Sequence, residues 1–443
     1  MSSDHAFSAP GAPPPPDRGL GPALAWGCYL GCSWTWVIGM FLPSILVRDY
    51  GWAGWALFAI PNVLGAAAMG FVLTAKSSKL FVDKHRTACV AFSHVTLLLQ
   101  LFTLIWFSGV FAGGGAIVLS AGALALFFIA LVALWRIDPT HQRHPVVLIL
   151  AIGAACVSLG AMSYALQLDG AWFGVDPKQA STLTPPLLEG PGLIGLAGAT
   201  IFGFGLSPYM DLTFHRARQQ TDRPTGRAAF AFGFGCVFLA MIVFALAYAG
   251  IVAAYWKSDR AALPDLPSAW LVLLTVHVLL QVGVTVYFHV RELALRSPKA
   301  TLDSSDPNNP AKPARPAIPT TAIVLALYLL VGVGALFVRH NAIQLPGHQG
   351  SLSLGEGVYR AFLMLYAVVF PAYVLLVAVP CRKTVTENAR RAVFCIAGPV
   401  AYGLACASFI FGFGPLGFAA AGVLVAARAA LDLGLGAQRP SSA

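Results

Sequence analysis

Apolar segments long enough to cross a bilayer follow one another along most of the chain, separated by short polar stretches. A transmembrane helix needs about 20 predominantly apolar residues. The pattern therefore predicts an all-α polytopic membrane protein with about twelve transmembrane helices. Their ranges are 22–47, 52–74, 87–109, 113–135, 146–168, 191–214, 228–255, 269–290, 318–338, 357–379, 392–411 and 415–434.

Composition and charge agree with this prediction. Of the 443 residues, 58% are hydrophobic and 10% are charged, and the mean hydropathy is +0.74. The net charge of +10 does not indicate a nucleic-acid partner, because most of the 28 Lys and Arg residues lie in alternate loops. Loops with this excess of basic residues face the cytoplasm. We therefore expect a protein integral to the inner (cytoplasmic) membrane, with both termini in the cytoplasm.

The spans divide the chain into five segments. Residues 1–21 are rich in serine and proline, which predicts a disordered cytoplasmic tail. Residues 22–168 and 191–379 hold five helices each and are joined by an external loop at 169–190. Residues 380–443 add two helices and a short cytoplasmic tail. No loop is long enough to fold as a separate catalytic domain, so we do not expect an enzyme.

Two spans combine glycine with proline near their centres. The first contains Gly39 and Pro43, and the sixth contains Gly203, Gly205 and Pro208. Glycine and proline weaken a helix, and the backbone groups they free must be satisfied by protein or by a water-filled cavity. The two spans run in opposite directions and begin five spans apart. A pair of discontinuous helices in this arrangement is typical of transporters built from inverted repeats. Simple proline kinks are the alternative.

This layout resembles the LeuT-type fold of the amino acid–polyamine–organocation superfamily, including sodium/solute symporters. The resemblance covers spans one to ten as an inverted 5+5 repeat, with the last two helices as an additional pair. The stretches 40–52 and 61–65 are similar to the first hairpin of such symporters. It implies secondary-active transport of a small polar or zwitterionic solute by alternating access, coupled to sodium or protons. By position it places substrate at Ser33, Trp36, Gly39, Gly203, Gly205, Ser207 and Tyr209.

The eighth span carries polar residues at every fourth position. His277, Gln281, Thr285 and His289 follow this spacing, so neighbours in the series share one helix face. Polar groups inside a membrane usually face the bundle or a water-filled cavity. We interpret His277 and Gln281 as substrate contacts and place His289 in solvent near the cytoplasmic edge. Plain hydrogen bonding between helices is the alternative.

The coupling ion stays open at this stage. In sodium-coupled members of the resembled family, a Ser/Thr pair of the eighth span binds sodium together with carbonyls of the first. Here only Thr285 and Thr275, ten residues apart, offer hydroxyls. Proton coupling through His277 or Asp211 competes with sodium bound at Thr285. Asp211, just after the break in the sixth span, is therefore an ion-coupling candidate or simply a helix cap.

Three further sets of residues are candidates. Polar residues recur at helical spacing in the third span, and Gln100 is one of them. Gln100 either contacts substrate or only packs against neighbouring helices. Arg48 and Asp49 end the first span outside, where Glu356 and Arg360 open the tenth. Opposite charges there predict an external gate, and an exposed pair of little energetic value is the alternative. Tyr366 in the tenth span is an aromatic gate candidate.

Three other functions compete with transport by a symporter. A major facilitator also has twelve spans, but the loop 79–86 lacks the glycines of its signature. Contacts of the first span with the sixth would favour the symporter fold, and contacts with the seventh the facilitator. A membrane enzyme would need a catalytic arrangement around His94, His277 or His289, and none is recognisable. A sensor without transport is the third. No cofactor motif or zinc spacing is present, so sodium or protons are the only small ions expected.

Overall fold

The computed structural model describes residues 16–111, 144–169, 191–249, 268–294, 318–341, 343–347, 350–382 and 385–434. The predicted fourth span at 113–135 and the cytoplasmic linker at 297–317 lie outside the described residues, as do residues 1–15 of the tail and nearly all of the external loop. The five-segment division is therefore not tested as a whole.

Fourteen α-helices and one short hairpin make up the described part of the chain. The helices are α1 (Leu20–Trp34), α2 (Val37–Val72), α3 (Ala75–Phe111), α4 (His144–Asp169), α5 (Pro191–Leu206), α6 (Leu212–Gln220), α7 (Arg223–Phe232), α8 (Leu239–Ala247), α9 (Ser268–Ala294), α10 (Ile318–His340), α11 (Leu354–Met364), α12 (Phe370–Tyr373), α13 (Glu387–Phe411) and α14 (Gly414–Leu433). Short π-helical segments join α7 to α8 (Gly233–Phe238) and α11 to α12 (Leu365–Val369), and another follows α12 (Val374–Ala378).

Nine helical stretches in the described residues are long and apolar enough to cross a membrane. The first and sixth predicted spans are divided, so that α1 and α5 have only 15 and 16 residues. The second half of the first span and the whole second span run together as α2. They are separated by Gly51, whose φ of 63° and ψ of −156° reverse the chain in a conformation that other residues rarely adopt. The predicted boundary at residues 48–51 is thus found as a sharp kink.

The cytoplasmic segment 75–86 was predicted as a loop, and this is wrong. Most of it is the first part of α3, which bends at His85, where φ is −112° and ψ is 23°. Its lysines reduce the mean hydropathy without interrupting helix formation, because lysine is itself a good helix former. Hydropathy measures where a helix leaves the membrane, and a helix can continue beyond that point.

Both predicted discontinuities are present. α1 ends at Trp34 and α2 begins at Val37, so two residues separate the helices of the first span. In the sixth span α5 ends at Leu206, a 3-10 segment covers Ser207–Met210, and α6 begins at Leu212. The break is therefore narrower than the stretch from Gly203 to Pro208 that the glycines and proline mark. Gly203 and Gly205 are helical, because glycine only weakens a helix, whereas Pro208 removes a backbone donor.

The first span contacts both the sixth and the seventh. A Cβ added at Gly31 of α1 would lie 2.6 Å from Val237 in the π-helical segment after α7, so glycine is what allows this close approach. The contact with the sixth span is made by side chains at the two breaks and is described below. Since the first span contacts both, contact with the sixth or with the seventh span does not distinguish the symporter fold from the facilitator fold.

One element departs from the all-α prediction. Gln344–Gly347 and Gly350–Ser353 pair as a two-stranded antiparallel hairpin, with Gln344 opposite Ser353. It lies directly before α11, whose N-cap Ser353 accepts a hydrogen bond from the backbone of Glu356 at 3.2 Å. A four-residue strand that contains proline and glycine gives no alternating pattern, so the sequence showed only a loop here.

Candidate functional site

The broken parts of the first and sixth spans meet inside the bundle. Thr213, in the first turn of α6, donates its hydroxyl proton towards Asp211 Oδ1 at 2.7 Å and towards Ser33 Oγ at 3.2 Å. Ser33, near the end of α1, in turn donates to the carbonyl of Leu30 at 3.0 Å. All three polar side chains are fully buried. The two discontinuities are therefore linked directly by hydroxyl groups.

Asp211 is the N-cap of α6. Its Oδ1 also accepts a hydrogen bond from the backbone N–H of Thr213 at 2.8 Å, which satisfies one of the free donors at that helix end. The capping role that the sequence left as an alternative is thus present. It uses only one carboxylate oxygen, because Oδ2 has no hydrogen-bond partner among the described residues.

An aromatic wall lies beside the break of the first span. The ring of Trp36 packs edge-on against Tyr366, with centroids 4.8 Å apart, and both rings contact Phe92 of α3. The Tyr366 hydroxyl donates to Thr96 Oγ1 at 3.1 Å. Ser207 donates to the backbone carbonyl of the same Tyr366. Trp36, Ser207 and Tyr366, which were predicted on three different spans, are thus brought to one place.

Gln100 of α3 lies one helical turn beyond Thr96 on the same face. It is fully buried, and neither its amide nitrogen nor its amide oxygen has a hydrogen-bond partner among the described residues. The hydroxyl of Thr103 is likewise buried and unpartnered there. Burying such groups without partners is costly, and in native proteins they are usually satisfied by a ligand or by ordered water. Gln100 therefore has the properties of a ligand-binding group.

The polar face of α9 is buried along its whole length. His277 Nδ1 lies 2.9 Å from Ser158 Oγ of α4, and Gln281 donates to the same oxygen at 2.8 Å. These two residues therefore form hydrogen bonds between α9 and α4. His277 Nε2 and Gln281 Oε1 have no partner among the described residues. Thr285 donates to the carbonyl of Cys32, near the end of α1, at 3.2 Å.

The solvated position expected for His289 is wrong. The side chain is fully buried, and its Nδ1 lies 3.1 Å from Ser93 Oγ of α3. Its Nε2 lies 3.9 Å from Asp211 Oδ2. Neither of these two facing atoms has a hydrogen-bond partner among the described residues. The α9 helix continues to Ala294, so His289 lies more than a turn inside its end.

The remaining predicted substrate residues lie in different surroundings. Gly39 is packed against Phe238, and Gly203 lies so close to α11–α12 that an added Cβ would be 2.6 Å from the Cα of Ala367. By contrast, no atom lies within 4 Å of an added Cβ at Gly205. Tyr209 is partly buried, and its carbonyl lies 2.8 Å from His215 Nε2. Gly203 thus serves close helix packing, whereas Gly205 borders open space.

The four charged residues predicted at the outer side form one buried cluster. Arg48 binds both carboxylate oxygens of Glu356, at 2.5 and 3.0 Å, and Asp49 Oδ1 at 2.7 Å. Arg360 donates to Asp49, to Glu356 and to the carbonyl of Phe409 at 2.7 Å. The side chain of Arg360 is only 2% exposed. The alternative of an exposed pair with little energetic value is therefore wrong for this cluster.

The N-terminal segment is bonded to the turn between α6 and α7. Asp17 donates from its backbone N–H to the carbonyl of Gln220 at 2.8 Å and accepts from the backbone of Asp222 at 3.2 Å. Its carboxylate accepts from Trp26 Nε1 at 2.9 Å. Asp222 is the N-cap of α7 and accepts from Thr225, which holds the pKa of this exposed carboxyl below its usual value. The prediction of disorder is therefore wrong for residues 16–21, and residues 1–15 lie outside the described residues.

Sequence reasoning missed Phe92, Ser158 and Thr213 as site residues. A single phenylalanine in an apolar helix carries no signal of its own, and neither does a single serine. Thr213 had a usable signal, because a hydroxyl two residues after a capping aspartate is well placed to bond it. Among the described residues, no group of three or more His, Cys, Asp or Glu side chains is arranged to hold a metal ion.

No family model and no curated protein matches the chain. Five solved chains do match it. One is a Na+-coupled sialic acid symporter in a substrate-bound outward-open state, with a TM-score of 0.50 and 11% sequence identity over 95% of this chain and 91% of that one. The chain therefore has the fold of a sodium-coupled symporter of the LeuT type, and it is an integral membrane protein. This likeness favours the predicted LeuT-type fold over the major-facilitator fold.

Proposed function

We propose that the chain is a secondary-active transporter that moves a small polar or zwitterionic solute by alternating access, coupled to sodium or protons. The observation that carries this proposal is the meeting of the two helix breaks at Ser33 and Thr213. In a membrane, interrupted backbone persists only where protein or a cavity satisfies it. Two such interruptions that meet inside a bundle are typical of a solute site. The unpartnered amide of Gln100 supports the proposal, because Gln100 lies one helical turn beyond Thr96, which bonds the Tyr366 hydroxyl.

The solute site lies between the first break, α3 and the 3-10 segment. The end of α1 presents carbonyl oxygens and the start of α2 presents N–H groups, so the break offers partial charges of both signs. These suit an ammonium or hydroxyl at one end of a solute and a carboxylate at the other. Gln100 binds a polar group, and Trp36 and Tyr366 form the wall. Ser33 and Ser207 position these elements through their hydrogen bonds.

The other predicted substrate residues stay part of the proposal with a weaker link to the solute. Gly205 leaves open space at the end of α5, and Tyr209 follows it in the 3-10 segment. Gly39 and Gly203 allow the flanking helices to pack closely. His277 and Gln281 each retain one unpartnered atom at the α4 contact. They form a second polar layer behind α1.

The charged cluster of Arg48, Asp49, Glu356 and Arg360 is the proposed external gate. It joins α2, which continues the first span, to α11 of the tenth span. Opening towards the outside requires that these contacts separate. Tyr366, one and a half turns further along the tenth span, closes the solute site beneath the gate. The inverted repeat, the twelve-span topology and the cytoplasmic termini belong to the same proposal.

Thermal unfolding of the purified full-length protein tests the proposed function. It is measured with a panel of amino acids, sugar acids, nucleobases and betaines, each in sodium and in potassium buffer at two pH values. A ligand of the native state raises the unfolding temperature in proportion to the logarithm of its concentration above the Kd. We expect at least one solute to do so, and proteoliposomes to accumulate it. Stabilisation without uptake would favour a sensor and overturn the transporter.

A further inference from the structure

The facing pair of Asp211 and His289 is the least satisfied charged arrangement in the described bundle. Both side chains are fully buried, and Asp211 Oδ2 lies 3.9 Å from His289 Nε2. This distance is too long for a hydrogen bond. Each of the two facing atoms is without a hydrogen-bond partner among the described residues, although the opposite side of each group is bonded. The 3.9 Å gap between Asp211 Oδ2 and His289 Nε2 is therefore bordered by two side chains that are each bonded on their other side.

Each side chain is held in place by a neighbour. The Thr213 hydroxyl and backbone fix Asp211 through Oδ1, and Ser93 fixes the imidazole through Nδ1. If Nδ1 accepts the Ser93 proton, Nε2 carries a hydrogen that faces the carboxylate beyond bonding distance. If Nδ1 donates, the bare Nε2 lone pair faces carboxylate lone pairs. In both tautomers the pair has an open position for one more proton.

No arginine or lysine among the described residues is bonded to the pair. The titratable groups near it are Tyr29 of α1, Cys89 and His94 of α3, Glu292 of α9 and Tyr366. The cations Arg216 and Arg291 are both bound to Glu292, at 2.9 and 2.8 Å. His215 of α6 is bonded to Ser78 and to the carbonyl of Tyr209, and Cys156 and Tyr164 of α4 are exposed. With Asp211 ionised and His289 neutral, the pair carries a charge of −1, and Asp211 Oδ2 has no hydrogen-bond partner in the described part of the chain.

We propose that Asp211 and His289 together bind one exchangeable proton, and that this proton is the coupling ion of the transporter. The inference rests on the proposed function and selects protons from its two coupling ions. Binding adds one proton to the pair, which changes its net charge from −1 to zero. The proton is taken up from the outer side with solute and released to the cytoplasm with it, so no covalent bond other than N–H or O–H is made or broken.

The location of the pair explains how proton binding would be coupled to solute. Asp211 caps α6, the inner half of the sixth span, whereas His289 lies on α9. Thr213 joins Asp211 to Ser33 at the solute site. In the tautomer with a bare Nε2, a protonated carboxyl can donate to that nitrogen once the two atoms approach, and this bond joins the two elements. Without the proton, the same nitrogen faces carboxylate lone pairs and no bond joins them. Protonation therefore changes the contact between α6, which begins at the break of the sixth span, and α9.

Infrared difference spectroscopy of the reconstituted full-length protein over a pH series tests the proton site, with the proton itself as the probe. We expect a carboxylic-acid C=O band that grows as the pH falls and shifts in deuterium oxide. Asp211→Asn should abolish it. His289→Gln keeps a similar volume and should move its midpoint by about one pH unit or more, since a neighbouring titrating charge shifts a carboxyl by about that much.

Asp222→Asn is the matched control. Asp222 caps α7 as Asp211 caps α6, through a hydrogen bond from the backbone of Thr225 at 2.9 Å, but it lies at the surface. The band and its midpoint should be unchanged in this variant. A band that persists in Asp211→Asn, or an unchanged midpoint in His289→Gln, would overturn the proton site. If Asp211→Asn does not fold, the histidine variant still decides.

The two proposals can fail separately. A band that depends on both residues, in a protein that no solute stabilises, would support the proton site and count against the transporter. Solute uptake driven by a sodium gradient at equal pH on both sides, with a band that ignores Asp211, would support the transporter and overturn proton coupling. Uptake driven by a proton gradient in sodium-free buffer supports both.

Discussion

The outer charged cluster and the central Asp211–His289 pair use buried charge in opposite ways. In the cluster, two arginines meet two carboxylates, and every charged group has at least two hydrogen bonds or ion pairs. In the central pair, half of each side chain is bonded and the facing halves are not. A satisfied cluster holds one arrangement of the helices. In a half-satisfied pair, binding of a proton adds a missing interaction and so changes the free energy of the arrangement. A coupling site requires this dependence on the bound ion.

The buried polar atoms without hydrogen-bond partners are unevenly distributed in the described residues. Most buried polar side chains with an unpartnered atom among the described residues lie near the first break. Gln100, Thr103, His277, Gln281, His289 and Arg291 are on α3 and α9, Tyr29 is on α1, and Asp211 is at the start of α6. Arg227 of α7 and Arg390 of α13 are the exceptions. We infer that the outer end stabilises a closed state, while the centre is kept incomplete for ligands. The predictions below test this division, beginning with the largest expected effect.

The first prediction breaks the satisfied side. Arg360→Met removes the guanidinium that bonds Asp49, Glu356 and the Phe409 carbonyl, while keeping most of the buried volume. Removing one partner of a buried ion pair costs about 3–5 kcal/mol, because the remaining charge is left uncompensated. We expect a loss of this size in the stability of the closed protein, measured by thermal unfolding in detergent.

Arg391→Met is the control for this change. Arg391 pairs with Glu387 four residues earlier at 2.5 Å, but its side chain is 54% exposed. Exposed pairs of this kind contribute about 0.3–0.5 kcal/mol. Equal losses in the two variants would show that burial does not strengthen the outer cluster, and that it is not a gate held by charge.

The second prediction concerns the unsatisfied side. Gln100→Leu replaces a buried amide without partners by an apolar side chain of similar size. A buried unsatisfied polar group costs about 1–3 kcal/mol, so we expect the ligand-free protein to become more stable by up to about that amount. At the same time the stabilisation by any solute found in the panel should be lost. Opposite changes in ligand-free stability and in ligand binding are the signature of a binding residue.

The control is Gln219→Leu, because Gln219 donates to Ser78 at the cytoplasmic end. This variant should lose a little stability and keep solute binding. If Gln100→Leu destabilises the ligand-free protein and leaves solute binding intact, the amide is a structural group with a partner of its own, and the proposed solute site is wrong.

Much of this comparison could be predicted from the sequence, and the reasons differ between its two halves. The outer cluster was predicted because all four charged residues flank apolar spans, and hydropathy locates the ends of such spans. The predicted topology places the end of the first span and the start of the tenth on the same side of the membrane. The central pair was only half predicted. Asp211 follows a visible break, but His289 was placed in solvent because hydropathy ends the eighth span at residue 290. The helix continues to Ala294, and the packing of α3 and α6 covers the histidine. Which helices pack there cannot be read from one helix's pattern.

The third prediction compares two threonines that follow capping aspartates, Thr213 after Asp211 and Thr225 after Asp222. Thr213→Val removes the hydroxyl that bonds Asp211 and Ser33 in the buried centre. Thr225→Val removes the hydroxyl that accepts from the backbone of Gly19 at 3.0 Å near the surface. Hydrogen bonds to charged groups contribute about 1.5–3 kcal/mol and neutral ones about 1. Thermal unfolding should therefore show a larger loss for Thr213→Val. A larger loss for Thr225→Val would mean that the N-terminal segment, and not the junction of the breaks, limits stability.

The fourth and smallest effect is a pH dependence at the surface cap. Asp222 accepts hydrogen bonds from Thr225, so its pKa in the folded protein is lower than the value of about 3.9 for an unfolded chain. Since the folded state binds the proton more weakly, this group stabilises the protein above that unfolded pKa, and the contribution is lost as the pH falls through the folded pKa. Asp222→Asn should therefore reduce the loss of unfolding temperature in acid and leave the neutral value nearly unchanged, because asparagine is also a good N-cap. An acid dependence that is identical in the variant would place the relevant titration at a group other than Asp222.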